Sequence, residues 1–268
     1  MLSGRVASIS ISVLLCLAII SDARSQSWPH NTASFLEPNR FGIISEINDP
    51  YLWLEAGFGR DIIHTQVAFG LEGLIWSRLR SLSGFRFPVE TADYFFGIYS
   101  TFDLFQAKHR IRLSHISAHL VDGADTVVGG SSSRFSREFI SFERAIKNEI
   151  LGVEIFGAIG IKYVFHQVTD VESAFQIPIS LNVPLLRFGN VDTSHAQGML
   201  FLTASADAGP SWPVFSGGIT CRLGFSRSAS VDFFARYNSG LSRAGIEGKR
   251  EEQQAEIGMQ VIPFEWFD

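Results

Sequence analysis

From Glu149 to Phe165 the chain reads EILGVEIFGAIGIKYVF, and a period of two fits it where a helical period does not. Successive side chains of a strand point to opposite faces, so odd and even positions can be read as two faces. Val153, Ile155, Gly157, Ile159, Ile161, Tyr163 and Phe165 make a nearly unbroken apolar face, while Gly152, Glu154, Phe156, Ala158, Gly160, Lys162 and Val164 make a mixed one. A period of 3.6 would mix the two sets. The pattern recurs in FQIPISLNVPL (Phe175 to Leu185), FSGGITCRLGF (Phe215 to Phe225), VDFFARYN (Val231 to Asn238) and AEIGMQV (Ala255 to Val261). Each segment is apolar on one face and polar, small or charged on the other.

Soluble β-sandwiches and lipocalin-like barrels also alternate, so composition has to separate the readings. The chain carries 24 Phe but four Lys, and its mean hydropathy is positive. A soluble strand face is normally rich in lysine; here the second face carries glycine and charges of both signs. Strands of about ten residues with this pattern are the signature of a transmembrane barrel. The predicted fold is therefore all-β, a transmembrane antiparallel up-and-down barrel of about 12 strands. Strands are predicted near 40–47, 51–59, 66–79, 92–103, 109–119, 136–147, 150–166, 174–188, 198–206, 213–225, 229–238 and 252–264. Long connections then fall mostly at one end and short turns at the other, with ten strands as the alternative count. Pro178, Pro184 and Pro263 remove ladder donors and sit uneasily with closure.

The N-terminus reads as a signal peptide spanning residues 1–25: Arg5, the apolar run Val6 to Ile20, and small residues Ala23 and Ser25 before the cleavage point. An uncleaved anchor is the competing reading. Residues 26–268 then form one barrel. Export without a helical span places it in the bacterial outer membrane. Its expected partners are outer-membrane lipid and the assembly machinery, which reads aromatic residues near the C-terminus such as Phe264, Trp266 and Phe267. Cys221 is the single cysteine outside the leader, so no intrachain disulfide is available to the mature chain. A net charge of −5 gives no reason to expect nucleic acid. No spacing of His, Cys or acidic residues implies a metal or cofactor; VVGGSSS (Val127 to Ser133) lacks the lysine and helix of a phosphate loop. Oligomeric state is not readable.

One strand breaks the pattern. In RIRLSHISAHLVDG (Arg110 to Gly123), Arg110, Arg112 and Ser114 form the inner row. His115, Ser117 and His119 therefore continue the lipid-facing row of Ile111 and Leu113. In the next strand, FSREFISFERAI, Glu138 shares parity with Ile140, Phe142 and Ile146, and folding the hairpin brings it opposite His115. A hydroxyl, an imidazole and a carboxylate on one face is the general arrangement of an activated nucleophile. Three readings follow: interfacial residues bonding headgroups, a hydrolase using His115, Ser117 and Glu138, or a bulge that turns the row inward.

The His115–Ile116–Ser117 triplet with downstream Glu138 resembles outer-membrane lipid A deacylases, which carry a His-x-Ser pair in one strand. That resemblance implies Ser117 as nucleophile, His115 as base and Glu138 as orienter. Where that family has Asn after the serine, this chain has Ala118. Over Arg110 to Glu143, RLSHISAHLVDG followed by SREFISFE is also similar to a family of bacterial outer-membrane barrels of unknown function with a His-x-Ser-x-His-Leu segment.

The remaining inward charges are Glu72, Arg78, Glu154, Lys162, Arg222, Asp232, Arg236 and Glu256, beside Arg110 and Arg112. They either line a small aqueous pore or close it with salt bridges. The function expected is an outer-membrane barrel with a structural, binding or small-pore role. The alternative is an acyl hydrolase of the outer leaflet.

Overall fold

The computed structural model describes residues 38, 40–47, 49–63, 65–80, 87–121, 135–150, 152–167, 175–188, 197–208, 214–224, 229–241 and 251–263. Twelve strands account for nearly all of them. They are β1 (Phe41–Glu46), β2 (Tyr51–Ile63), β3 (Val67–Arg80), β4 (Val89–Leu104), β5 (Ala107–Leu120) and β6 (Phe135–Ile150), then β7 (Val153–Gln167), β8 (Phe175–Phe188), β9 (Gln197–Ala208), β10 (Val214–Gly224), β11 (Ala229–Leu241) and β12 (Glu251–Pro263). Residues 1–25, expected to be a signal peptide, loop 127–133 and the C-terminal aromatic residues lie outside the described residues.

Each strand pairs antiparallel with its chain neighbours, and β1 pairs with β12 to close the barrel. Closure satisfies backbone groups that an open edge would leave unpaired in lipid. Six-residue β1 is the shortest strand, and the amide of Gly57 in β2 donates to the Arg40 carbonyl, extending the β1–β2 pairing. A Cβ on Gly57 would come within 2.2 Å of the Pro38 carbonyl oxygen, so the close approach there requires glycine. At the end bearing β1's start, β4 and β5 are joined by Phe105 and Gln106 alone, with φ of 49° and 59°. Two consecutive positive values are what a tight two-residue hairpin demands.

The two faces follow the alternation. Outward lie exposed Phe58, Phe69, Phe96, Ile98, Ile161, Ile219, Phe233 and Ile257. Inward lie buried Trp53, Trp76, Phe95, Phe139 and Phe234 together with Arg110, Arg112, Lys162, Asp232, Arg236 and Glu256. An apolar exterior around a charged interior inverts a soluble barrel and matches a lipid environment. Strands β2 to β12 run 11 to 16 residues, enough to cross a bilayer when tilted. Ile146 departs from the pattern, being 8% exposed although its parity is outward.

The prolines sit where the ladders break. Pairing of β7 with β8 skips from Ile159↔Ile179 to Lys162↔Gln176, and Pro178 lies in that gap. A register shift in β8 follows Pro184, leaving Leu185 as the extra residue. Past this bulge Arg187 lies opposite inward Met199, whereas its parity before the bulge would have sent it to lipid.

Candidate functional site

On β5 the inner row is Arg110, Arg112, Ser114, Ile116 and Ala118, all buried. His115 and Ser117 are partly exposed and His119 is exposed, continuing the outer row from Ile111 and Leu113. No bulge separates His109 from Ala118 in the β5–β6 pairing, so the row does not turn inward. His115 pairs with Glu138 across the hairpin, and His115 Nδ1 lies 3.4 Å from Glu138 Oε1. Both side chains are about two-fifths exposed, at 41% and 39%. Sequence parity anticipates this contact, and the structure brings the two residues together.

Glu138 has a second neighbour that parity alone hides. The β6–β7 register shifts between Glu138 and Phe139, so Phe139 faces Val164 while Glu138 faces His166. Phe165 is the extra residue. By unbroken alternation His166 would join Lys162 and Val164 in the lumen; the bulge turns it out beside Glu138. Four outer-face rows result. Tyr94, Ser117 and Ser136 align in one, and Phe96, His115, Glu138 and His166 in the next. Below them run Ile98, Leu113, Ile140 and Tyr163, then Ser100, Ile111, Phe142 and Ile161. Tyr94 and His119 meet edge to face at 5.6 Å above His115. Each row climbs about 5 Å toward the long-loop end, from roughly 6.7 Å per two residues at a tilt near 40°.

The lumen holds the other charges, and the structure pairs them. Arg110 donates to Glu143 at 2.8 Å, and Glu143 also accepts from Ser141. Arg112 reaches Glu72 at 2.7 Å and Glu143 at 3.8 Å. Gly97 leaves the space this needs, since a Cβ there would lie 2.5 Å from Glu72 Oε1. Lys162 binds Asp207 at 2.7 Å, Arg222 grips Asp232 through two nitrogens at 2.8 Å, and Arg236 binds Glu256 at 2.7 Å. Glu154, at the short-turn mouth, bridges Lys147 and Arg187. Aromatic faces cover several of the cations: Phe95 lies by Arg112, Phe139 by Lys162, Phe201 by Arg222 and Phe234 by Arg236, at 4.7 to 5.7 Å. The partners Glu143 and Asp207 escape the sequence reading although parity puts both inside. Arg187 escapes because only the β8 bulge aims it there. Among the described residues, no group of three or more His, Cys, Asp and Glu could hold a metal ion.

No protein-family model matches the chain, so none supports the resemblance over Arg110 to Glu143. No curated protein matches it in sequence. Among solved structures, LpxR from Salmonella typhimurium aligns with a TM-score of 0.48 at 10% identity, covering 84% of this chain and 99% of LpxR. The β domain of the Bordetella autotransporter BrkA gives 0.42 at 12% identity over 84% of this chain and 96% of its own. The transport unit of the autotransporter AIDA-I from Escherichia coli gives 0.40 at 10%, over 88% and 93%. None of these assigns an activity to this chain.

Proposed function

We propose that this chain is a bacterial outer-membrane barrel whose lumen is closed, with a structural or binding role rather than solute passage. The observation that carries this is the inward lattice of paired charges. Arg40, Asp93, Gln176, Asp232, Glu256 and Gln260 are fully buried inside the barrel. A guanidinium held by a carboxylate and covered by an aromatic ring has little freedom to swing aside for a solute. On the same reading residues 1–25 direct export and are removed near Ser25, and outer-membrane lipid and the assembly machinery are the partners. The test is current across a planar lipid bilayer containing the purified protein. No steady conductance is expected; stable open-channel steps from the wild type would overturn closure.

A second reading rests on the outer face, where His115 Nδ1 lies beside Glu138 and Nε2 remains to serve a hydroxyl. As a hydrolase, Ser117 Oγ attacks a lipid ester carbonyl and gives its proton to His115, while Glu138 holds the imidazole. The leaving alkoxide takes that proton, and water then releases the fatty acid from Ser117 by the same steps. The side chain of Ala118 faces the lumen and offers no donor for the oxyanion. Fatty acid released by wild type and not by a folded Ser117→Ala variant supports this reading; release by neither removes it.

A further inference from the structure

A carboxylate on a lipid-facing wall is costly unless something there answers its charge. Glu138 is bracketed on that wall by His115 of β5 and His166 of β7. Around it stand hydrogen-bonding groups, Tyr94, Ser117 and Ser136 one step higher and His119 one step above them. Immediately below, Leu113, Ile140 and Tyr163 form an exposed, largely apolar row across the same three strands. Polar groups thus crown an acyl-chain-like surface at the long-loop end, and the polarity is mixed, one carboxyl group among imidazoles and hydroxyls.

We propose that this patch binds a zwitterionic lipid headgroup, Glu138 taking its ammonium and the flanking imidazoles and hydroxyls its phosphate. Charge decides between headgroup classes. A headgroup without an amine offers Glu138 no cation, whereas one with an amine meets it with the opposite sign. Spacing agrees as well: an ethanolamine linker separates ammonium from phosphate by about one inter-strand distance, roughly 4.8 Å, the step from Glu138 to either imidazole's strand. The acyl chains then lie over Leu113, Ile140 and Tyr163. This site is independent of lumen closure, and it engages Glu138 and His115 differently from the hydrolase reading, in which Glu138 holds the imidazole.

The test offers the intact barrel equal amounts of phosphatidylethanolamine and phosphatidylglycerol with identical acyl chains, and reads retained lipid by native mass spectrometry. Wild type is expected to keep the ethanolamine lipid in about five- to tenfold excess, within the net range of one part-exposed hydrogen bond. Glu138→Gln, shown folded by its heat-modifiable migration on a gel, brings the ratio close to one. His166→Ala, at a strand end, lowers retention of both lipids, while Phe233→Ala on a different strand group changes neither. Equal retention of the two lipids by wild type overturns the proposal. So does an undiminished preference in Glu138→Gln, or undiminished retention in His166→Ala.

Discussion

Glu143 is a carboxylate on which two buried lumen arginines converge, which makes it a sharp probe of the lattice. Its side chain is 10% exposed, and it accepts from Arg110 at 2.8 Å and from Ser141 at 2.8 Å, with Arg112 at 3.8 Å. Glu143→Gln keeps an acceptor oxygen but removes the charge, leaving Arg110 buried beside a neutral amide. Arg112 keeps Glu72 at 2.7 Å, so the loss falls mainly on one ion pair. Removing one member of a buried pair costs about 3 kcal/mol or more, because the other charge stays desolvated. By contrast Lys147 and Glu154 sit 3.0 Å apart at the mouth, with side chains 48% and 33% exposed. Lys147→Gln should therefore cost no more than about 1 kcal/mol. Replacing both members, as Arg110→Met with Glu143→Leu, should return stability to within about 1–2 kcal/mol of wild type. The assay is urea unfolding in lipid vesicles, followed by tryptophan fluorescence from the inward-facing Trp53 and Trp76 among others. Equal losses for Glu143→Gln and Lys147→Gln, or a double variant as unstable as the sum of its parts, would refute the reasoning.

Two further outcomes follow from the facing and turn geometry of β4 and β5. Leu113→Arg, on the lipid face, should cost about 2–4 kcal/mol in that assay, while His119→Arg three rows higher should cost at most about 1 kcal/mol, because the penalty falls with distance from the midplane. Asn at 105 with Gly at 106, in place of Phe105 and Gln106 at φ 49° and 59°, should stabilise the β4–β5 hairpin by about 0.5–1 kcal/mol, visible as a higher urea midpoint.

Alternation made the fold legible because a lipid-facing barrel repeats one rule along every strand. Predicted and observed strands agree in number and nearly in extent, and the facing of Arg110, Arg112, His115 and Ser117 followed from parity alone. The juxtaposition of His115 and Glu138 was legible for the same reason, since one hairpin joins them. Bulges defeat that logic. His166 and Arg187 both sit past an extra residue, Phe165 in β7 and Leu185 in β8, and each faces opposite to its sequence parity. Pro184 hints at the second bulge, but no glycine or proline adjoins Phe165. Which carboxylate pairs with which cation was also out of reach, because stagger between strands is set by closure of the whole barrel.

The most direct test of the account is a spin-label scan of β5, with one cysteine at a time from residue 110 to 119 in a Cys221→Ser background. Collision with oxygen dissolved in the lipid should peak at 111, 113, 115, 117 and 119 and dip at the even positions between, with water-soluble reagent gaining access only toward 119. A change of phase between 113 and 115, sending 115 and 117 into the lumen, would contradict it.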